Sequence, residues 1–247
     1  MDMMLRGKRA LVTCGTSGIG RECAATLSRE GVEVVVISRT GTSQTEGVTS
    51  IHVDLTEPAA LSKALENIGP VDILIFIPPR EVLGGFLDFE AADFRRAFDN
   101  TFFPYVELVR NVLPGMLARR FGRVISIFGA STLAPLWNHA LSNVSRAASA
   151  SLGSGLAREV GAQEVTFNTL LLGPYDTPGL SQLWKERAHE AGITYDEYAT
   201  SRSSAIPTGK LGNPEGCAAL CTLLASPMMW HLTGQSLRLD GGQQLGI

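Results

Sequence analysis

The chain has 247 residues, of which 45% are hydrophobic and 18% charged, and its formal net charge is −3. This length and composition predict a single α/β domain over residues 1–247 and exclude a disordered or fibrous chain. The sequence has no dense cluster of Lys and Arg, so we do not expect a nucleic-acid partner. No apolar run reaches the roughly 18 residues of a membrane span, so we do not expect a membrane protein. The first six residues are too short and too acidic for a signal peptide, so we expect a cytoplasmic protein.

Short runs rich in Val, Ile and Leu alternate with segments of helical periodicity. The predicted strands cover 8–13, 32–38, 50–53, 72–77, 122–128, 165–172 and 236–239, and the predicted helices cover 18–30, 57–67, 88–118, 138–161 and 214–226. Apolar strands separated by helices are typical of a parallel sheet that is buried on both faces. The pattern predicts a single-domain Rossmann fold, a doubly wound seven-stranded parallel sheet with helices on both faces.

Two features depart from this regular alternation. Residues 178–207 carry a mixed helical pattern between the sixth strand and the last predicted helix. In open α/β sheets the ligand binds beyond the carboxyl ends of the strands, so the segment is predicted to be a lid, or alternatively a peripheral helical pair packed on the sheet. The four cysteines have no Cys-x-x-Cys spacing, and we expect buried thiols and no metal site.

The first strand leads through a glycine-rich turn into a helix. In this context the turn predicts a phosphate cradle, because the helix amides face the ligand and a Cβ at the glycines would block its approach. The predicted cofactor-binding residues of this turn are Thr13, Gly15, Ser17, Gly18, Ile19 and Gly20. After the third strand, Asp54, followed by Leu55, is placed to accept a hydrogen bond from adenine.

The end of the second strand indicates which dinucleotide binds. A site for NAD usually has an acidic residue there to bind the ribose hydroxyls, whereas this chain has Ser38 followed by Arg39. A guanidinium beside a small hydroxyl suits a 2′-phosphate, so the sequence predicts NADP(H). The alternative is that Arg39 is a solvated turn residue.

Several further motifs resemble those of the short-chain dehydrogenase/reductase family over nearly the whole chain. They are the strand 72–75, the segment 168–173 followed by Thr177, and the C-terminal segment 232–242. The resemblance implies that Gly173 and Thr177 clamp the cofactor, and it implies a homotetramer. The small residues Ala147 and Ala148 suit close helix contact in such an assembly.

The catalytic positions that the resemblance implies carry unusual residues. Arg146 falls at the family's lysine, Ser142 at its tyrosine, Gly129 at its serine and Thr101, beside Asn100, at its asparagine. A serine hydroxyl is too weak an acid to replace the tyrosine near pH 7. Arg146 is predicted to hold the nicotinamide ribose or to orient the acceptor, unless it is exposed on its helix.

Other groups are candidates for the missing acid. His139 lies seven residues before Arg146, where divergent enoyl reductases of the family place a tyrosine, although a surface or packing histidine is the alternative. Asp176 is expected beside the nicotinamide, where a carboxylate stabilises an iminium cation; alternatively it caps the next helix. Arg80 is a further candidate to face the pocket.

These residues predict an atypical NADPH-dependent oxidoreductase of specialised metabolism. Its small-molecule substrate is expected to be an imine, an iminium ion or a conjugated compound, because hydride addition to a cation needs no proton on the accepting atom. The alternatives are a non-redox cyclase, a lyase similar to the halohydrin dehalogenases, and a catalytically silent subunit on the same fold.

Overall fold

The computed structural model describes residues 2–39 and 41–244, and within them a parallel sheet forms the centre of the molecule. Its strands are β1 (Arg9–Thr13), β2 (Glu33–Ser38), β3 (Val48–His52), β4 (Ile73–Phe76), β5 (Gly122–Gly129), β6 (Val165–Leu172) and β7 (Ser236–Leu239). The order is β3-β2-β1-β4-β5-β6-β7, and every neighbouring pair is parallel. The predicted doubly wound seven-stranded sheet is confirmed.

Helices cover both faces of the sheet. They are α1 (Gly18–Arg29), α2 (Pro58–Leu65), α3 (Ala91–Arg119), α4 (Ala140–Val160), α5 (Pro178–Glu190), α6 (Tyr195–Ser204) and α7 (Pro214–Ala225). Successive strand residues point to opposite faces, so Leu11 and Leu74 join the core under α2, α3 and α4, whereas Val12 and Ile75 join the core under α1 and α7. The sheet is therefore buried on both sides, as the apolar strands predict.

The direction of winding reverses between β1 and β4, which are neighbours in the sheet. Such a reversal opens a crevice at the carboxyl ends of the strands, where ligands bind in this architecture. Thr13 holds the two strand ends together, since its hydroxyl lies 2.8 Å from the carbonyl oxygen of Ile77 and 2.7 Å from the amide nitrogen of Ile77. The glycine turn and the segment after β4 therefore lie on either side of one crevice.

The segment 178–207 contains α5 and α6, which pack on each other. Trp184 is buried, and its ring centroid lies 6.1 Å from that of Tyr198. Each helix begins at a threonine cap: the hydroxyl of Thr177 accepts a hydrogen bond from the Leu180 amide, and that of Thr194 accepts one from the Glu197 amide. The alternative that Asp176 caps α5 is wrong, because Thr177 fills that position.

The cysteines are free thiols. The sulfur atoms of Cys23, Cys217 and Cys221 lie within 4.8 Å of one another where α1 packs against α7, and all three residues are buried, while Cys14 is partly buried. In the described part of the chain, no helix combines the length and the apolar character needed to cross a membrane.

Candidate active site

Close packing within the protein requires glycine at two positions of the glycine turn. A Cβ on Gly15 would lie 2.5 Å from Cγ1 of Val36, and one on Gly20 would lie 2.4 Å from the carbonyl oxygen of Cys14. The next helix, α1, begins at Gly18, and the side chain of its N-cap Ser17 makes no capping hydrogen bond. The first-turn amides of α1 therefore remain available to an anion such as a pyrophosphate.

Cys14 occupies a position in this turn where the family usually has glycine. Its φ of 51° lies in the left-handed region, which side chains other than glycine adopt at a cost. Burial raises the pKa of the thiol to about 11; the Arg39 charge opposes this rise and the Asp54 charge adds to it. The thiol is therefore protonated at neutral pH and lies within the electrostatic influence of the predicted adenosine site.

The predicted adenosine-binding residues lie together beyond β2 and β3. Nη1 of Arg39 lies 3.8 Å from Oδ2 of Asp54, and the hydroxyl of Ser38 lies 2.9 Å from that of Thr16. The Arg39 side chain is 65% exposed, so it is accessible to a phosphate that binds from solvent. Leu55 is buried below them, which fixes the backbone that follows β3.

The predicted clamp residues, Gly173 and Thr177, lie at the end of β6 and just before α5. A Cβ on Gly173 would lie 2.8 Å from Cα of Asp240, so the end of β6 packs directly on the C-terminal segment. A Cβ on Gly18 would lie 3.5 Å from Cγ2 of Thr177, which shows that the clamp and the first turn of α1 meet. The structure thus brings the predicted residues Gly18, Gly173 and Thr177 to one edge of the sheet.

Arg146 on α4, at the position of the family's lysine, is partly buried. The space around it, next to Gly129 and Glu81, is called the slot below. Its Nε is inaccessible to solvent and has no hydrogen-bond partner among residues 2–39 and 41–244. A Cβ on Gly129 would lie 3.4 Å from its Nη1, so the guanidinium occupies the space beside this glycine. The alternative that Arg146 is an exposed helix residue is wrong. Burial lowers the pKa of Arg146, and the Glu81 charge opposes that shift.

Glu81 is a candidate functional residue that sequence reasoning missed. It is 6% exposed; the Thr101 hydroxyl donates to its Oε1 at 3.2 Å, and the Asn100 amide group donates to its Oε2 at 3.5 Å. Burial raises the pKa of Glu81, although both hydrogen bonds and the Arg146 charge oppose the shift. The available signal was its position just beyond β4, next to Arg80.

Arg80 is an exposed residue just beyond β4. Its guanidinium reaches the first turn of α5, since a Cβ on Gly179 would lie 2.9 Å from Nη2 of Arg80. The Arg80 charge lowers the pKa of Arg146, so the two guanidiniums are close enough to repel each other. That Arg80 faces the substrate pocket stays a prediction.

His139 and Ser142 lie at the start of α4 and precede Arg146 in the chain. His139 is partly buried, and its Nδ1 lies 2.7 Å from Oδ1 of Asn138. Burial lowers the pKa of His139, as do the charges of Arg146 and Arg187, so the imidazole is neutral at pH 7. Ser142 is buried and has no charged group of its own to offer.

Asp176 and its neighbour Tyr175 differ in environment. Asp176 is exposed, and its amide donates to the carbonyl of Gly212 at 2.9 Å. The Tyr175 ring packs against Gly212, where a Cβ would lie 2.7 Å from the ring, and burial raises the pKa of its phenol. Within the described residues no hydrogen bond or ion pair joins Asp176 to Arg146 or Glu81, so it lies outside this cluster.

The sheet order and the glycine turn at its winding reversal define a protein of the Rossmann type. A family model described as enoyl-(acyl carrier protein) reductase matches residues 14–244. A 2-keto-3-deoxy-L-fuconate dehydrogenase from Xanthomonas campestris pv. campestris is 31% identical, with 96% of this chain and 80% of that protein covered. The chain belongs to the short-chain dehydrogenase/reductase family and is an oxidoreductase of that type.

Further relatives agree with this placement. An L-xylulose reductase from Mus musculus is 29% identical, with 98% of each chain covered. Among solved structures, the L-sorbose reductase from Gluconobacter frateurii, complexed with NADPH and L-sorbose, superposes with a TM-score of 0.93 at 25% identity and covers 100% of both chains. YwfH, described as an NADPH-dependent reductase involved in bacilysin biosynthesis, has the same fold at a TM-score of 0.88 and 22% identity.

Proposed function

We propose that this protein is an atypical NADPH-dependent reductase whose acceptor is an imine or a conjugated small molecule. The observation that carries the proposal is the partly buried Arg146 at the family's lysine position, with Ser142 at its tyrosine position and buried Glu81 close enough to act on the charge of Arg146. The nucleotide-binding frame is retained while the proton-transfer residues differ. The reductases among the relatives, including the one complexed with NADPH, support the redox assignment.

The residues around the crevice fit NADP(H). The first-turn amides of α1, unused by Ser17, would hold the pyrophosphate, and Arg39 with Ser38 would hold the 2′-phosphate. Asp54 would accept from adenine, while Gly173 and Thr177 would position the nicotinamide riboside, and of the two roles predicted for Arg146 we propose that it orients the acceptor. When bound, NADPH supplies the hydride.

The slot favours an acceptor on which negative charge develops. The guanidinium of Arg146 has no ion pair in the described chain, and it is preorganised to stabilise the enolate formed when hydride adds to a conjugated carbonyl. The same charge disfavours a free iminium cation, so a neutral imine is the better second substrate class. Ser142 has no role as an acid, because its hydroxyl pKa lies far above neutrality.

The proton that completes the reduction has candidate sources in the chain. Hydride adds to one acceptor atom, and a proton must reach the adjacent carbon or nitrogen. Glu81 holds a proton to higher pH than an ordinary glutamate because burial raises its pKa. Neutral His139 at the start of α4 is the second candidate, and Asp176 at the clamp is the third.

We also propose that α5 and α6 form a lid over this crevice within one domain of residues 1–247. Two contacts support this role. Thr177, which caps α5, lies against Gly18 of the glycine turn, and Gly179 in the first turn of α5 lies against Arg80. A bound ligand that contacts either side would bias the position of α5.

The decisive experiment measures binding and redox separately. NADPH fluorescence titration tests the nucleotide site, and single-turnover loss of absorbance at 340 nm tests hydride transfer to cyclic imines and conjugated ketones, with L-xylulose and L-sorbose as comparison substrates. We expect tight NADPH binding and faster loss with the activated acceptors. Faster oxidation with the sugars would contradict the proposed substrate class. Binding without oxidation by any acceptor would favour the non-redox cyclase, the lyase or the silent subunit.

A further inference from the structure

The partly buried side chain of Arg146 lacks a counterion. Its guanidinium has no ion pair within 4.0 Å and no hydrogen bond to any residue of 2–39 or 41–244, and its Nε is closed off from solvent. A buried donor without a partner costs stability, and a ligand that accepts a hydrogen bond from it removes that cost. The side chain is therefore arranged for a group that arrives with the substrate.

The neighbouring glycine lies within contact distance of this guanidinium. The family's serine position is Gly129 here, and a Cβ at this residue would come within 3.4 Å of Nη1 of Arg146 and 3.5 Å of the Ser131 hydroxyl. The guanidinium therefore lies directly beside the position where the family has its serine hydroxyl. The absence of that hydroxyl and the presence of the arginine cation together make the site more positive.

Other charges near the slot do not cancel this excess. Glu81 is the nearest buried carboxylate, yet its oxygens face Thr101 and Asn100, and it makes no ion pair with Arg146 within 4.0 Å. Arg80 adds a second guanidinium without an ion pair in the described chain, and it repels Arg146. Arg96 is paired with Asp93 and Arg187 with Glu190, so their charges are already balanced.

We infer that Arg146 and Arg80 form a binding site for a carboxylate of the substrate. A carboxylate is planar, carries one negative charge and accepts two hydrogen bonds from a guanidinium, which matches an inward arginine better than a hydroxyl or a carbonyl does. Arg80 contacts α5, so the bound anion would also draw the lid toward the slot. The inference deepens the proposed function by naming the acceptor as an acid: a conjugated carbonyl compound or an imine that bears a carboxylate.

The test measures anion binding without any redox step. Protein saturated with NADP⁺ in a phosphate-free, low-salt buffer is titrated by calorimetry with benzoate, with benzamide as the neutral match and with phenylphosphonate as a different anion. We expect benzoate to bind at least tenfold more tightly than benzamide. Arg146→Gln should weaken benzoate binding by tenfold or more, and Arg80→Gln by a smaller factor.

Arg6→Gln is the charge-matched control, because Arg6 is exposed and lies before β1, at the amino ends of the strands and therefore away from the slot. It should leave benzoate affinity unchanged. Equal affinity for benzoate and benzamide, or benzoate binding that neither slot variant weakens, would overturn the inference. Tighter binding of phenylphosphonate than of benzoate would overturn the choice of a carboxylate.

Separate readouts keep each outcome interpretable. NADP⁺ affinity and thermal unfolding are measured for every variant, and the exposed Arg80→Gln variant decides the question if Arg146→Gln loses its fold or its cofactor. Failure of the proposed function would appear as absent NADPH oxidation with intact benzoate binding. Failure of the present inference would appear as lost charge selectivity, whatever the redox result.

Discussion

At the scale of single residues, Arg39 carries the proposed choice between the two dinucleotides. It is exposed, and it lies 3.8 Å from Asp54. A charged hydrogen bond to a phosphate contributes about 1.5–3 kcal/mol, which corresponds to roughly ten- to a hundredfold in affinity. We expect the unmutated protein to prefer NADPH over NADH by this factor and Arg39→Ala to lose most of the preference, as measured by fluorescence titration.

Arg29→Ala is the control for this prediction. Arg29 is exposed and forms an ion pair with Glu22. It is the last residue of α1, at the opposite end of that helix from the predicted phosphate site. It should leave the cofactor preference unchanged. Equal affinity of the unmutated protein for NADPH and NADH would contradict the assigned role of Arg39.

Cys14 is a second residue whose backbone makes a specific prediction. Its φ of 51° favours glycine, so the comparison of Cys14→Gly with Cys14→Ala isolates the backbone term because both variants remove the thiol. Relief of the left-handed strain is worth roughly 1–2 kcal/mol. Cys14→Gly should therefore be more stable to urea unfolding than Cys14→Ala by about 1 kcal/mol. A more stable alanine variant, the usual order in regular structure, would show that the strain is absent.

At the scale of elements, the sequence predicted the sheet well because buried parallel strands are nearly continuous apolar runs. β5 and β6 were located within a residue, whereas β3 begins two residues earlier than predicted, since its exposed positions break the apolar signal. The orientation of Arg146 could not be predicted in this way, because its guanidinium packs beside Gly129, 17 positions away in the chain.

The site was only partly predictable for the same reason. The nucleotide residues follow strands directly, so their position in the sequence fixes their place at the sheet edge. Glu81 was missed because its burial depends on hydrogen bonds from α3, a contact between distant elements that no local pattern records. The cap of α5 was assigned to Asp176 as an alternative, one residue early, because Asp and Thr both serve as N-caps.

The helices α5 and α6, which we propose to form a lid, offer a matched test of whether that lid affects cofactor binding. Thr177 and Thr194 cap α5 and α6 with the same hydrogen bond, but Thr177 alone of this pair lies against Gly18. Loss of such a cap costs about 1 kcal/mol. We expect Thr177→Ala and Thr194→Ala to lower unfolding stability similarly, while only Thr177→Ala weakens NADPH binding, by several-fold. If both variants weakened NADPH binding equally, the effect would come from the lower stability of the helices and not from the contact of Thr177 with Gly18.

At the scale of the whole molecule, we propose a homotetramer. α4 presents the small residues Ala147 and Ala148, which are only partly buried within one chain, and β7 lies at the edge of the sheet. A small-residue helix face and a strand at a sheet edge both suit pairing across two-fold axes. Light scattering at micromolar concentration should report a mass near four times 26.4 kDa. A monomer at that concentration would contradict the proposed assembly.

The central claim is that hydride transfer here proceeds without an acid at the family's tyrosine position, and single-turnover decay at 340 nm tests it most directly. Ser142→Ala should slow the decay by less than about tenfold, whereas removal of the true proton donor, by Glu81→Gln, His139→Ala or Asp176→Asn, should slow it roughly a hundredfold. If Glu81 is that donor, the rate falls as pH rises through its raised pKa, and Glu81→Gln abolishes this dependence. A large loss in Ser142→Ala alone would contradict the account.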